Sequence, residues 1–113
     1  MMSNTERLKH ILERIVEINT SLRGISFEEY SMNKDKQAAL FANLVIIGEA
    51  AGRLTKELRD AHPEVSWKNA VGLRNILVHD YVRIDYEVLW ETAKDDLPVL
   101  KKQIQKILED ISE

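Results

Sequence analysis

A chain of 113 residues and 13.1 kDa is long enough for one hydrophobic core and too short for separate catalytic and regulatory domains. Hydrophobic residues make up 44% and charged residues 31% of the chain, a composition that excludes a disordered tail. The net charge of −3 excludes a generally basic nucleic-acid binder, and the absence of cysteine excludes disulfide scaffolds, thiolate zinc sites and cysteine nucleophiles.

Residues 1–113 are therefore expected to form a single domain, and the order of the predicted elements indicates that it is helical. The N-terminus has no apolar run of signal-peptide length, and no segment approaches the roughly 20 apolar residues of a membrane span. We accordingly expect no membrane contact and a cytoplasmic location, which the lack of cysteine also fits.

The first predicted helix covers residues 5–23. Ser3 and Glu6 have the spacing of a capping box at its start. Its apolar residues recur every three or four positions, as they do on one face of an amphipathic helix. They are Leu8, Ile11, Leu12, Ile15, Ile18 and Leu22. Ser26 and Glu29 repeat the capping spacing and predict a short turn in the loop that follows.

The second predicted helix begins near Asn33 and ends at His62, because a residue that precedes proline, here Pro63, is pushed out of the helical region. One apolar face of this long helix is formed by Leu40, Leu44, Ile47, Ala51, Leu54 and Leu58. Gly48 and Gly52 are four residues apart, so they lie on one side of the helix and allow another helix to come close.

Ser66 is a suitable N-cap for a third helix that ends near Tyr81. Asp85 can cap a fourth helix that runs toward Pro98, which marks either a kink or a fresh start. A fresh start can be capped by Asp95 or Asp96. No segment alternates with a period of two residues. The sequence therefore predicts an all-α fold, an antiparallel bundle of four and at most five helices joined by short loops.

The most distinctive polar residues lie at the end of the third predicted helix. Residues 67–83 are the most basic part of the chain, with a net charge of +2, so an anionic ligand is expected there. On a regular helix Asn75 and His79 are neighbours, whereas Arg74 and His79 diverge by roughly 140°. Joint action on one ligand then needs a long side chain, local unwinding or two facing copies of the helix, and we favour two facing copies.

Arg74, four further residues, His79, one residue and Tyr81 reproduce the motif of HepT-type toxins, small α-helical ribonucleases of the HEPN superfamily. The chain resembles that family over nearly its whole length. Residues 47–51 and 62–67, Tyr86, Trp90 and residues 96–98 are also similar to it.

The resemblance implies a HEPN-like bundle and a metal-independent endoribonuclease toxin of a toxin–antitoxin system. It implies an active site that two copies of the motif form at a homodimer interface, with Arg74 and His79 as the catalytic residues. It further implies a minimal nucleotidyltransferase antitoxin as partner, which attaches AMP to Tyr81.

The chemistry of these residue types is compatible with RNA cleavage. RNA supplies its own nucleophile, the 2′-hydroxyl, so the enzyme needs a proton acceptor, a cation and orientation. His79 can exchange protons near neutral pH, and Arg74 has a charged fork that matches phosphate oxygens. Asn75 can support the site by orienting His79 or by donating to the same phosphate. The two histidines of a dimer can share the acid and base roles, and no metal or cofactor is expected.

Each assignment has a structural alternative. Arg74 can be a salt-bridged helix residue paired with Asp80 or Glu49, His79 a helix-terminal residue, and Tyr81 a half-buried anchor. The alternative function is a non-catalytic HEPN-like dimeric adaptor that binds a nucleotide or a partner nucleotidyltransferase. The presence of both Arg74 and His79 favours the ribonuclease, because an adaptor needs neither.

The remaining polar and aromatic residues predict no second site. No metal site is predicted, because such a site needs several convergent ligands. Structural roles suffice for His10 and His62, and the two tryptophans, Trp67 and Trp90, are expected to be core or interface anchors.

Overall fold

The computed structural model describes residues 2–76 and 84–112, and within them every regular element is helical. The elements are α1 (Asn4–Leu22), α2 (Phe27–Ser31), α3 (Lys34–Gly52), α4 (Lys56–Ala61), α5 (Trp67–Gly72), a 3-10 turn (Leu73–Asn75), α6 (Tyr86–Glu91), a π-helical turn (Thr92–Asp96) and α7 (Leu97–Ser112). The predicted all-α bundle is confirmed.

Side chains at the predicted positions cap the first two helices. Ser3 Oγ accepts a hydrogen bond from Glu6 N at 3.1 Å, and Ser26 Oγ accepts one from Glu29 N at 3.1 Å. In both cases the glutamate side chain also accepts from the backbone N–H of the serine, which completes a capping box. The start of α1 and the short helix α2 are thus set by local sequence.

The core lies where α1, α3 and α7 meet. α3 and α7 both pack against α1. The apolar faces predicted for the first two helices are buried, apart from Leu12, which is half-buried. α7 contributes a third buried face, formed by Leu97, Leu100, Ile104 and Ile107.

The prediction of one helix from Asn33 to His62 is wrong, because the helix breaks at residues 53–55. Thr55 starts α4 by accepting a hydrogen bond from Leu58 N at 3.2 Å. Asn4 then holds the break from the start of α1: Thr55 N donates to Asn4 Oδ1 at 3.1 Å, and Asn4 Nδ2 donates to Thr55 Oγ1 at 2.9 Å. A capping threonine clamped by a distant side chain therefore ends the long helix.

A helix does start near Pro98 as predicted, since α7 begins at Leu97. Asp85 caps α6 as predicted, with Oδ1 accepting from Glu87 N at 3.1 Å, but Asp95 and Asp96 do not precede α7 in a loop. The chain passes through the π-helical turn instead, in which Leu97 N–H donates to the carbonyl five residues earlier. A proline lacks the N–H and crowds the preceding turn, and the wider π turn accommodates it without a break.

The third predicted helix is less regular than expected over the residues that the structure describes. Ser66 precedes α5 but its side chain makes no capping hydrogen bond, and α5 gives way to the 3-10 turn after Gly72. Trp67 is buried at the start of α5, where its Nε1 donates to the carbonyl of His62 at 2.9 Å. The predicted end near Tyr81 lies outside the described residues.

Candidate active site

Arg74 is the middle residue of the 3-10 turn and is exposed. The turn packs against α3, and its first residue, Leu73, is half-buried against the core. The turn is therefore anchored on the protein by Leu73 while the Arg74 side chain remains accessible.

Gly48 lets the backbone of this turn touch α3. A Cβ atom built at Gly48 would lie 2.9 Å from Arg74 Cα and 2.9 Å from the carbonyl carbon of Leu73, and closer still to Arg74 N. Cβ atoms in proteins essentially never come within 3.0 Å of other heavy atoms. Glycine is thus the residue that this separation of turn and helix requires.

Gly52, one turn further along α3, lies under the side chain of the same arginine. A Cβ atom there would be 2.5 Å from Arg74 Nη1, 3.3 Å from its Cζ and 3.5 Å from Val71 Cγ1. The close approach predicted at Gly48 and Gly52 is therefore present, and its partner is Arg74 together with the end of α5. The spacing of the two glycines in the sequence predicts a close approach but does not identify the arginine as its partner.

The charge of Arg74 is unpaired within residues 2–76 and 84–112. Glu49, one of the two partners considered for it, instead pairs with Arg53, with 3.7 Å between Glu49 Oε2 and Arg53 Nε. Asp80, the other partner considered, lies outside the described residues. Arg74 is exposed, lies against α3 and has no acidic partner among the described residues, so it is suited to bind an anion.

Asn75 shares the 3-10 turn with Arg74 and is also exposed. Successive residues of a 3-10 helix differ by about 120°, so the two side chains leave the turn in different directions. The roughly 140° offset between Arg74 and His79 holds for a regular α-helix and does not apply across this turn. His79 and Tyr81 lie outside the described residues, so their placement relative to Arg74 stays a prediction.

The other two histidines have ordinary structural surroundings. His62 Nδ1 lies 3.4 Å from Glu64 Oε1, and its backbone carbonyl accepts the hydrogen bond from Trp67. His10 is half-buried on α1. Neither histidine belongs to the 3-10 turn that contains Arg74 or to α3, the helix on which that turn packs.

Two of the three tyrosines are described, and they differ in access. Tyr30 is fully buried, and its hydroxyl donates to the carbonyl of Tyr86 at 2.8 Å. Burial, with smaller contributions from Tyr86 and Asp85, raises the pKa of Tyr30 to about 12. Tyr86 is half-buried. The buried hydroxyl of Tyr30 is therefore closed to modification.

The described residues offer neither a metal-binding cluster nor a membrane-spanning helix. Those residues contain no group of three or more His, Cys, Asp and Glu side chains placed to hold a metal ion. No helix within the same ranges is long and apolar enough to cross a membrane.

An open cavity of about 340 Å³ lies beside the 3-10 turn. It is lined by residues of α5, the π-helical turn and α7. Its walls mix apolar and polar side chains, among them Leu73, Asn69, Thr92, Leu97 and Gln103. Sequence analysis did not find this cavity, because its walls come from segments that are distant in sequence.

Comparison with known proteins gives a consistent assignment. Residues 9–107 match the family described as Ribonuclease HepT-like. The chain is 36% identical over 105 residues to "Probable ribonuclease HepT" of Thermococcus cleftensis, which covers 93% of this chain and 96% of that protein.

Two further relatives are described by name as candidate RNases. One, from Caldanaerobacter subterraneus subsp. tengcongensis, is 38% identical over 90% of this chain and 91% of its own length. The other, from Methanocaldococcus jannaschii, is 40% identical over 87% of this chain and 90% of its own length. No solved structure matches the chain.

Proposed function

The chain belongs to the HepT-like ribonuclease family, and on this premise we propose that it is a metal-independent endoribonuclease toxin of a toxin–antitoxin system. In this proposal Arg74 and His79 of two protomers are the catalytic residues, and Asn75 supports them. A minimal nucleotidyltransferase antitoxin neutralises the toxin by attaching AMP to Tyr81.

The observation that carries the proposal is the state of Arg74. Its guanidinium lies against Gly52, is exposed, and has no ion pair with the carboxylates that the structure describes. A guanidinium presents five N–H donors in a planar fork, which matches two oxygens of a phosphate. Arg74 is therefore available for an RNA phosphate at the first position of the motif.

The proposed reaction needs no external nucleophile. The 2′-oxygen of the RNA attacks the adjacent phosphorus as a base removes its proton, and the bond from phosphorus to the 5′-oxygen breaks as an acid protonates that oxygen. The products are a 2′,3′-cyclic phosphate and a 5′-hydroxyl. The two proton transfers are assigned to the two copies of His79, one from each protomer. Arg74 stabilises the negative charge that develops on the phosphate oxygens.

The outward face of α3 supports the proposed homodimer. Ala38, Val45 and Gly52 are spaced by seven residues and so form one stripe, on which Ala42 and Glu49 are exposed. A second copy packed on this stripe across a two-fold axis would bring the two Arg74 side chains toward each other. The proposed composite site needs this arrangement.

Access to hydroxyl groups supports Tyr81 as the proposed acceptor of AMP. Tyr30 is fully buried and bonded to a carbonyl, so it is not available to a modifying enzyme. AMP on Tyr81 would add bulk and a negative phosphate a few residues from Arg74. The phosphate would compete with RNA for the guanidinium and repel the RNA backbone.

Cleavage of RNA by the purified protein in the presence of EDTA tests the proposed activity. We expect 2′,3′-cyclic phosphate ends, and we expect Arg74→Ala and His79→Ala each to lower the rate by about 10²-fold or more. Arg23→Ala and His10→Ala are matched controls on α1 and at its end, and they should cleave normally. Full activity of His79→Ala, or a strict need for a divalent ion, would contradict the mechanism.

Sedimentation and mass spectrometry test the proposed partners. The protein should sediment at about twice 13.1 kDa, and a monomer at micromolar concentration would contradict the composite site. After co-expression with the neighbouring nucleotidyltransferase, wild type and Tyr86→Phe should carry AMP and Tyr81→Phe should not. A dimer that binds the nucleotidyltransferase but cleaves no RNA would support the adaptor function instead.

A further inference from the structure

Two glycines of α3 form a seat for Arg74. Gly48 lies under the backbone of the arginine and Gly52 lies under its guanidinium, so the two ends of one residue rest on consecutive turns of one helix. We call Gly48 and Gly52 the glycine seat.

Backbone conformation does not explain glycine at either position. Among the described glycines only Gly24 has a positive φ, of 75°, so Gly48 and Gly52 adopt conformations open to any residue. Glycine also weakens a helix relative to alanine. Space for Arg74 is the remaining reason for both glycines. Gly72, where an added Cβ would meet no heavy atom of the described residues within 4 Å, shows that a glycine beside the turn does not always have a neighbour in the place of its missing side chain.

We propose that Gly48 and Gly52 are positioning residues, which hold the Arg74 guanidinium where it meets the scissile phosphate. This inference rests on the proposed RNA cleavage. Gly48 sets the depth of the turn against α3, and Gly52 sets the place of the guanidinium on the helix surface. An arginine side chain has many rotamers, and the missing side chain at Gly52 admits the one in which the guanidinium lies against the helix surface. A cation fixed before the reaction stabilises the developing charge without reorganising during it.

Gly52→Ala is the most direct test. The methyl group would take the space of Nη1, the end of a flexible side chain, so the arginine shifts and the helix gains a better helix former. We expect kcat to fall by about 10- to 100-fold, since a misplacement of about 1 Å can reduce the rate by about 10²-fold. KM should change less than kcat, and the melting temperature should stay the same or rise.

Gly72→Ala is the matched control, because it places the same methyl group beside the turn with no atom of residues 2–76 or 84–112 within 4 Å to displace. Its kcat should equal that of the wild type. A kcat of Gly52→Ala within about twofold of the wild type would overturn the proposal. A loss of activity in Gly52→Ala that only follows a lower melting temperature would overturn it as well.

Repeating the substitution in an Arg74→Lys background shows whether Gly52 acts through the arginine. Lysine keeps the charge but has neither Cζ nor Nη1, so the methyl group at position 52 displaces no guanidinium. The effect of Gly52→Ala on kcat should then shrink to within about twofold. The same fold-loss in both backgrounds would overturn a role through Arg74, because independent effects add in such a cycle.

A failure of the proposed ribonuclease function can be told apart from a failure of the glycine seat. If the wild type cleaves no RNA, the function is wrong, and the seat is decided by the NMR signal of the Arg74 Nε–H group. That signal should shift in Gly52→Ala and stay in place in Gly72→Ala. An unchanged signal in Gly52→Ala would overturn the seat whatever the activity of the wild type.

Discussion

The side of α3 that packs against α1 and the side that packs against the 3-10 turn differ in kind. Toward α1, Leu44 and Ile47 are fully buried in the same cluster as Ile11 and Ile15, so side chains fill the space between the helices. Toward the turn, Gly48 has no side chain, and the backbone of Arg74 lies against the helix. Side chains adjust to a substitution by changing rotamer, whereas two backbones in contact cannot. One face of α3 therefore stabilises the protein, and the other sets the position of Arg74.

Leu44→Ala should have the largest effect on stability, because it leaves a cavity on the side-chain face. Leu44 is 0% exposed, and such truncations lower the free energy of unfolding by about 2–5 kcal/mol. Urea denaturation measures the change. Val16→Ala, at a residue that is 48% exposed on α1, is the control and should change the free energy by no more than about 0.5 kcal/mol. An equally small effect of Leu44→Ala would mean that α1 and α3 can close the cavity.

Tyr30 makes the side-chain-packed part of the molecule sensitive to pH. The pKa of Tyr30 is about 12 in the folded protein against 10.0 for the ordinary phenol, so the folded state holds the proton more tightly. The corresponding stability is complete below pH 10 and is lost as the pH rises toward 12. The free energy of unfolding should fall by about 2 kcal/mol more across this range in the wild type than in Tyr30→Phe. Parallel pH profiles of the two proteins would contradict the assignment to Tyr30.

Local features of the fold were predictable from the sequence because their physical causes are local. Ser3, Ser26 and Asp85 cap helices through hydrogen bonds to amides two or three residues ahead, so the spacing of the residues contains the information. The buried faces of α1 and α3 follow in the same way from helical periodicity. The site motif was also visible, since its three residue types lie within eight positions.

Features that depend on distant residues were not predictable in this way. The break before Thr55 is held by Asn4, 51 residues away in sequence, and no local pattern announces such a contact. The spacing of Gly48 and Gly52 predicts a close approach on one side of α3 but does not identify Arg74 as the residue that approaches. Sequence periodicity thus predicts which face of each helix is buried but does not identify the segment that packs against it.

Gly48→Ala tests the other face of α3, where the helix backbone contacts the backbone of the 3-10 turn. Alanine is the better helix former by up to about 1 kcal/mol, but its Cβ would collide with the backbone of Arg74, and overpacking typically costs about 1–3 kcal/mol. We expect a net loss of about 1 kcal/mol in the free energy of unfolding, measured with urea. Gly72→Ala, whose methyl group meets no neighbour in the described part of the chain, should be neutral or stabilising. A more stable Gly48→Ala protein would show that the turn can move away from α3.

The smallest expected change in the free energy of unfolding comes from substituting two serines, Ser26 and Ser66. The pair tests whether local capping or packing against the core positions α5, the helix that precedes the 3-10 turn. Ser26 and Ser66 both precede a helix and both have the residue type of an N-cap, yet only Ser26 accepts a hydrogen bond from a backbone amide, at 3.1 Å. Ser26→Ala should therefore lower the free energy of unfolding by about 1 kcal/mol, and Ser66→Ala by no more than a few tenths, roughly the range of an ordinary surface change. The start of α5 depends instead on the buried Trp67 and its hydrogen bond to the carbonyl of His62. If Ser66→Ala proved as costly as Ser26→Ala, a capping bond would form in solution, and α5 would be set locally like α2. An inexpensive Ser66→Ala would mean that packing against the core, rather than capping, positions the helix that leads to Arg74.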